Sequence, residues 1–464
     1  MAETSALRSD PKLYAILGLA GVGVLSSTLV SPALPGMAST FDLTEARVGM
    51  VMTAFFLTAV VAIPTVGVVT DVWGRRRVFL GSLLVYGVAG TLIGFVDTFG
   101  FVLLLRAVQG CAFPGLLPMA ITLIGDLYDG AVATTAQGYL TSTTGFGGIV
   151  SPLVAGVLVD ISWRLPFWLY GISFAAFVLC YWWLPEPDAA PTDERSSAFE
   201  DGQSSALESN AGPNPTPGAN RSAVSNPASE RSELANPGST PNHEQVREPD
   251  DANTGGNTSA WIARASAWIT RVSGMIREVE DALTSEARTI ICAVVALFFV
   301  RYALFTFMPL YAVTVLGTSE FIGGVAVAVL GLGRFVAAPY AGRLATRVSR
   351  PTILVSSLLC FGVGTWALLL TTEPWAVIVI LGLTSVGDGF FDPVANDIVT
   401  MSAPAAVRGR IVSVLEVGKT GAIAVSPVAF GVLLSASSYT ILFLTGGALM
   451  AITSGIVGLV LFER

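Results

Sequence analysis

The chain has 464 residues, of which 53% are hydrophobic and only 12% charged, with a mean hydropathy of +0.68. Soluble domains carry about 25% charged residues, so this composition excludes a water-soluble enzyme and a chain disordered throughout. The net charge of −8 is local: residues 186–257 hold 13 acidic and 4 basic residues, and the other 392 hold 20 and 21, which leaves no basic face for nucleic acid.

Residues 1–12 form a polar tail. The first apolar run, 13–35, is too long for the core of a cleaved signal and reads as a retained spanning helix. Further runs follow at 46–70, 78–96, 101–125, 137–159 and 166–184. They are continuous rather than alternating, which predicts helices and not the strands of a barrel. Residues 185–257 are rich in Pro, Ser, Asn, Gly and Glu. Such a segment buries too little apolar surface to offset its chain entropy, so a disordered acidic linker is predicted. Residues 258–286 place Trp261, Ile262, Ala265, Trp268, Ile269, Val272 and Ile276 at helical spacing among Arg264, Arg271 and Arg277. This predicts an amphipathic helix, lying on the membrane surface or on the protein's own cytoplasmic face. Six more runs lie at 289–315, 322–345, 351–371, 375–400, 410–436 and 439–462. The expectation is an all-α membrane protein of 12 transmembrane helices in two pseudo-symmetric six-helix bundles, 13–184 and 287–464.

Arginines set the orientation. Arg75, Arg76, Arg77, Arg343, Arg347, Arg350, Arg408 and Arg410 fall in one set of loops, while the opposite set holds Arg47 and Arg164. By the positive-inside rule both termini and the linker are cytoplasmic. The halves also repeat at an offset of 275: Gly67, Arg75, Pro118, Ser151 and Pro152 correspond to Gly342, Arg350, Pro393, Ser426 and Pro427. A duplicated six-helix unit builds a cavity between its copies, and rocking them exposes it to each side in turn.

Cys111, Cys180, Cys292 and Cys360 sit in separate apolar runs and read as buried thiols. His243, the only histidine, lies in the polar linker, so a histidine metal site is excluded and no cofactor is expected. No Gly-Lys-Ser phosphate loop occurs, which argues against ATP as the energy source.

Three motifs follow. Gly67-Val-Val-Thr-Asp71-Val-Trp-Gly74-Arg75-Arg76-Arg77 joins the second and third runs. Its glycines permit a tight turn, and Asp71 is placed to cap the next helix or to pair with an arginine. Arg106-Ala-Val-Gln109-Gly110 puts an arginine inside the fourth run, where it must face the protein interior or a wet cavity. The fifth run carries Gly138-x8-Gly147-x3-Ser151-Pro152-x2-Ala155-Gly156, small residues for close packing and a proline for a bend. With these motifs the chain resembles the major facilitator superfamily, and within it the twelve-helix drug:proton antiporters, over its whole length except the linker. The resemblance implies that Gly67, Asp71, Gly74, Arg75 and Arg76, with Asp126 as partner, hold the cytoplasmic helix ends together. It implies that Arg106 and Gln109 take part in proton transfer. The fifth-run motif is similar to that of exporting members, with Ser151 and Ala155 standing where glycines are usual.

The remaining intramembrane charges include Arg301, Arg334, Asp388, Asp392, Glu416 and Lys419. Each is expensive in lipid and is read as functional. Asp388 and Asp392 stand one helical turn apart, and two such carboxylates cannot both stay ionised cheaply unless a cation neutralises one. Asp388 is the expected proton carrier, partnered by Arg301 or Arg334, with Asp392 and Glu416 as substitutes. Arg301, Arg334, Lys419, Phe113 and Tyr302 are the candidate cavity residues. The functional expectation is a monomeric, non-enzymatic plasma-membrane transporter that exports small amphipathic compounds in exchange for protons. Coupled import of a polar or anionic solute is the alternative, and a non-transporting sensor or scaffold comes third.

Overall fold

The computed structural model describes residues 10–128, 130–183, 283–402 and 408–462. Twelve helices long and apolar enough to cross a bilayer run through them. They are α1 (Pro11–Phe41), α2 (Glu45–Trp73), α3 (Arg75–Ile93), α4 (Phe99–Gly125), α5 (Gly130–Val159) and α6 (Leu165–Trp183) in the first half. The second half holds α7 (Ser285–Thr314), α8 (Glu320–Ala345), α9 (Arg350–Leu370), α10 (Pro374–Ser402), α11 (Arg408–Ala436) and α12 (Tyr439–Phe462). All twelve predicted runs are thus helices, and no strand occurs among the described residues. The predicted linker, 185–257, lies outside the described residues, as does the predicted amphipathic helix up to residue 282. Residues 285 and 286, the end of that predicted helix, stand instead in the first turn of α7. The Thr284 hydroxyl accepts from the Ala287 amide and starts α7, with Glu286 in its first turn.

Local chemistry sets other boundaries. The Asp10 carboxylate caps α1 by accepting from the Lys12 amide, and it accepts from the Tyr128 hydroxyl at 2.8 Å, tying the start of α1 to the end of α4. Ser349 starts α9 in the same way, its hydroxyl accepting from the Thr352 amide. Between α2 and α3 the chain turns on Gly74 at φ 84°, a left-handed conformation that favours glycine. Asp71 therefore does not hold the cap position of α3. It lies in the last turn of α2, and the cap position falls to Gly74. Prolines fall inside α1, α5, α7, α10 and α11, where each removes a backbone hydrogen bond and bends the helix. Of the four cysteines only Cys180 is buried. Cys111, Cys292 and Cys360 are exposed, because an apolar run in a membrane protein does not by itself mean burial in the core.

The two halves meet along α2–α11 and α5–α8, and the contacts obey the 275-residue repeat. A Cβ on Gly324 would lie 2.5 Å from the Pro152 carbonyl oxygen, and one on Gly49 would lie 2.7 Å from that of Pro427. Likewise Gly156 sits against the backbone of Phe321, and Gly431 against that of Ala46. Only hydrogen fits at Gly49, Gly324 and Gly431, and a Cβ at Gly156 would be crowded, so the helices cross backbone to backbone. Gly49 and Gly324 lie near the N-terminal ends of α2 and α8. The crossings therefore close the halves on each other at the end remote from Asp10 and Phe462.

Candidate functional site

The predicted intramembrane charges come together in the second half. Along α10, Asp388, Asp392 and Asn396 recur every four residues on one face. Gly389 lets α8 approach this face, since a Cβ there would sit 2.9 Å from the Arg334 Cα. Arg334 pairs with Asp392. From α7, Arg301 Nη1 reaches both oxygens of Asp388, at 3.1 and 3.3 Å. From α11, Lys419 Nζ lies 3.2 Å from Asp392 Oδ1, 3.2 Å from Asn396 Oδ1 and 2.8 Å from Glu416 Oε1.

Each α10 carboxylate of this face therefore has its own cation, and Asp392 has two. The neutralising cation called for by the i,i+4 spacing is thus present for both carboxylates. Asp388 is sealed, with 1% of its side chain exposed, whereas Glu416 is 58% exposed. The Glu416–Lys419 pair is thus not isolated. Lys419 links the open Glu416 to the buried Asp392.

Phe298, one turn before Arg301, is the hub of the cluster. Arg301 Cζ lies 3.8 Å from its ring centroid, Lys419 Nζ 5.4 Å and Arg334 Cζ 6.0 Å. A ring face attracts cations, and the attraction grows where water is excluded. Sequence reasoning missed this residue among 25 phenylalanines. Its position three before a buried arginine, on the same helix face, is the signal that marks it.

Arg106 has a different setting. It is fully buried. Its Nε donates to the Val51 carbonyl of α2 at 3.3 Å and its Nη1 to Gln109 Oε1 at 2.9 Å, with Phe55 4.5 Å beneath the guanidinium. Gln109 in turn donates to the Tyr86 carbonyl of α3. The pair fastens α2, α3 and α4, all in the first half. Phe113 packs on Phe55, and Phe56 packs on Tyr302 across the two halves at 5.5 Å. Tyr302 also touches Phe305 and neighbours the Arg301 guanidinium, so an aromatic chain leads from the first half to the charge cluster.

The conformational motif is described only in part. Arg76 donates to the Tyr181 carbonyl at 2.6 Å and lies over the Tyr181 ring, joining α3 to α6. The side chains of Gly67, Asp71, Arg75 and Asp126 lie outside the described set. In the second copy, Arg350, the counterpart of Arg75, pairs with Asp397 of α10 at 2.8 Å. In the α5 motif, Ser151 donates to the Thr28 hydroxyl of α1 at 2.5 Å, Ala155 is fully buried, and Pro152 and Gly156 form the crossing with α8. Gly147 meets Val24 at ordinary contact distance, and a Cβ on Gly138 would meet nothing within 4 Å. Close packing thus does not explain glycine at 138.

Twelve spanning helices in two repeated halves, with charges buried inside them, define a membrane transporter and not an enzyme. The sequence profile of the Major Facilitator Superfamily matches residues 16–332 and 290–464, and the chain belongs to this family. A "Bacillibactin exporter" of Bacillus subtilis (strain 168) is 28% identical over 153 residues, which is 32% of this chain and 38% of the relative. "Multidrug resistance protein 3" of the same organism is 30% identical over 175 residues, 36% of this chain and 33% of the relative. The match thus spans about a third of the length of these curated relatives. Among solved structures, a bacterial homologue of the human lysosomal transporter Spinster, inward-facing and unoccupied, superposes with a TM-score of 0.66 at 14% identity, over 98% of this chain and 95% of that one. A D-xylose–proton symporter does so at 0.64 and 12% identity, over 96% of each chain. At those identities the likeness is one of fold.

Proposed function

We propose that this chain is a proton-coupled antiporter of the plasma membrane that exports small amphipathic compounds, cations foremost, by alternating access. The observation that carries the reading is the sealed Arg301–Asp388 pair beside the Asp392–Lys419–Glu416 relay. Glu416 is the exposed carboxylate of the cluster, and Asp388 is the innermost one. Protonating Asp388 leaves Arg301 buried without its counter-charge, which costs about 2–3 kcal/mol once the surviving hydrogen bond and ring contact are counted. Allosteric coupling between two sites is typically about 1–3 kcal/mol, so the switch is large enough to bias one arrangement of the halves over another. A bound organic cation and a proton then compete for the same carboxylates, and that competition is exchange. The bacillibactin exporter among the relatives supports this direction. The arginine bias of the loops supports cytoplasmic termini.

One observation favours a second reading. Three cations surround Phe298. Freed from their acids, they would hold an anionic solute, and coupled uptake would follow.

The test uses inside-out vesicles with an imposed proton gradient and a pH-sensitive dye. Tetraphenylphosphonium is added to wild type and to Asp388→Asn. Antiport predicts collapse of the gradient in wild type only. No response in either protein, with proton entry driven by an organic anion in right-side-out vesicles, replaces export by uptake.

A further inference from the structure

A cavity of about 580 Å³ lies at the end of the molecule where the halves close, outside the charge cluster. Its wall is built from the ends of α7, α9, α11 and α12, and one residue of the other half, Glu45 in the first turn of α2, completes it. Three rings line it: Tyr439 is the partly open one, while Tyr311 and Phe443 are almost wholly buried and pack against it. Tyr311 lies 5.1 Å from Tyr439 and 5.2 Å from Phe443, the second pair edge to face. The Tyr439 hydroxyl is buried beside Thr314, whose own hydroxyl donates to the Leu310 carbonyl. Glu45 is close enough to act on Tyr439 electrostatically. The other charge at the start of α2 is Arg47, and its guanidinium lies over the ring of Phe99. Among the described residues Glu45 has no ion-pair partner.

We propose that this cavity is a binding site for a monovalent organic cation of the quaternary-ammonium type. A partly open tyrosine ring with one carboxylate beside it attracts such a cation. The volume lies in the range of small-molecule sites. A metal ion such as calcium would need six or more oxygen ligands, and the wall offers one carboxylate among rings and hydroxyls. The site spans both halves, so its occupant holds this end of the molecule closed. The Glu45-to-rings distance changes whenever the halves rock apart, and the bound cation opposes that motion. Either direction of transport accommodates such a site.

The test follows Ser438→Cys, at the cavity wall, in the full chain in phosphatidylglycerol nanodiscs. Modification by a charged maleimide is timed with and without tetrapentylammonium, and labelling of the parent chain is subtracted. The expected result is slower labelling. Glu45→Gln should raise the concentration needed by about tenfold, Tyr439→Leu should do the same, and Tyr439→Phe, which keeps the ring, should not. Protection that arises from phosphatidylcholine nanodiscs without added cation would make the occupant a choline headgroup rather than a solute. Labelling that tetrapentylammonium does not slow overturns the proposal. So does protection of equal potency in Glu45→Gln and Tyr439→Leu. Both variants are checked for the wild-type elution profile. Asp388→Asn in the same background separates this site from the charge cluster, because protection at Ser438→Cys should survive it.

Discussion

Replacing Asp388 by asparagine leaves Arg301 in place with its charge partner gone. The side chains of Arg301 and Asp388 are 11% and 1% exposed, so water relieves little of the deficit. Removing one member of a buried pair costs about 3–5 kcal/mol. Two contacts survive and reduce that figure. The asparagine oxygen still accepts from the guanidinium, and the Phe298 ring remains 3.8 Å from Arg301 Cζ. Together they retain about 1–2 kcal/mol. The net loss is then about 2–3 kcal/mol, and Arg301→Gln should show a similar loss with the carboxylate orphaned instead. The double variant removes both charges and should cost clearly less than the sum, with a coupling energy of about 2 kcal/mol. Denaturant unfolding in detergent micelles, followed by circular dichroism, reads all three. Single losses below about 0.5 kcal/mol, or strict additivity in the double variant, would refute the claim that this pair is a dry, mutually dependent switch.

Other consequences are more local. Gly324→Val puts side-chain atoms into the Pro152 carbonyl and should force α5 and α8 apart at the closed end. Spin labels at Asp160 and Ser319 should report a longer distance, and an unchanged distance would mean that the crossing is not the contact that closes this end. Arg106→Lys keeps the charge but loses the fork that reaches both the Val51 carbonyl and Gln109. It should destabilise the protein by about 2 kcal/mol, and stability equal to wild type would show that Arg106 does not fasten α2 to α4. Burial and the bond to Asp10 raise the Tyr128 phenol above its usual range. Because the folded-state value is the higher one, the contact contributes fully below the unfolded value of about 10 and is lost only in stronger alkali. Tyr128→Phe should therefore lose about 1 kcal/mol equally at pH 6 and pH 8, and a loss that varies between those values would contradict the assignment.

The twelve spans were legible because a bilayer imposes a length and a composition that no nearby signal disguises. The 275-residue offset was legible too, and the structure gives it a physical meaning. Gly324 with Pro152 and Gly49 with Pro427 are one crossing used twice. The charges themselves were visible as exceptions in apolar runs. Their pairing was not. Nothing in the spacing says that Arg301 takes Asp388 while Arg334 takes Asp392, because that choice rests on how closely α8 approaches α10 at Gly389. Phe298 escaped for a related reason: an apolar residue in an apolar run carries no mark until its neighbours are known. Asp71 misses the cap position by a helix boundary, since α2 runs on to Trp73 and Gly74 takes the turn. Arg106 stands out in the sequence as a charge within a span, yet its contacts to Val51, Gln109 and Phe55 are those of a helix fastener.

Proton release on substrate binding tests the central claim most directly. Tetraphenylphosphonium is added to purified protein in weakly buffered detergent solution with a pH-indicating dye, near neutrality. The account predicts that cation binding releases protons from wild type, drawn from molecules in which Asp388 has parted from Arg301 and is protonated, and none from Asp388→Asn, although that variant still binds. Equal release from Asp388→Asn would move the exchanging proton to another group and contradict the account.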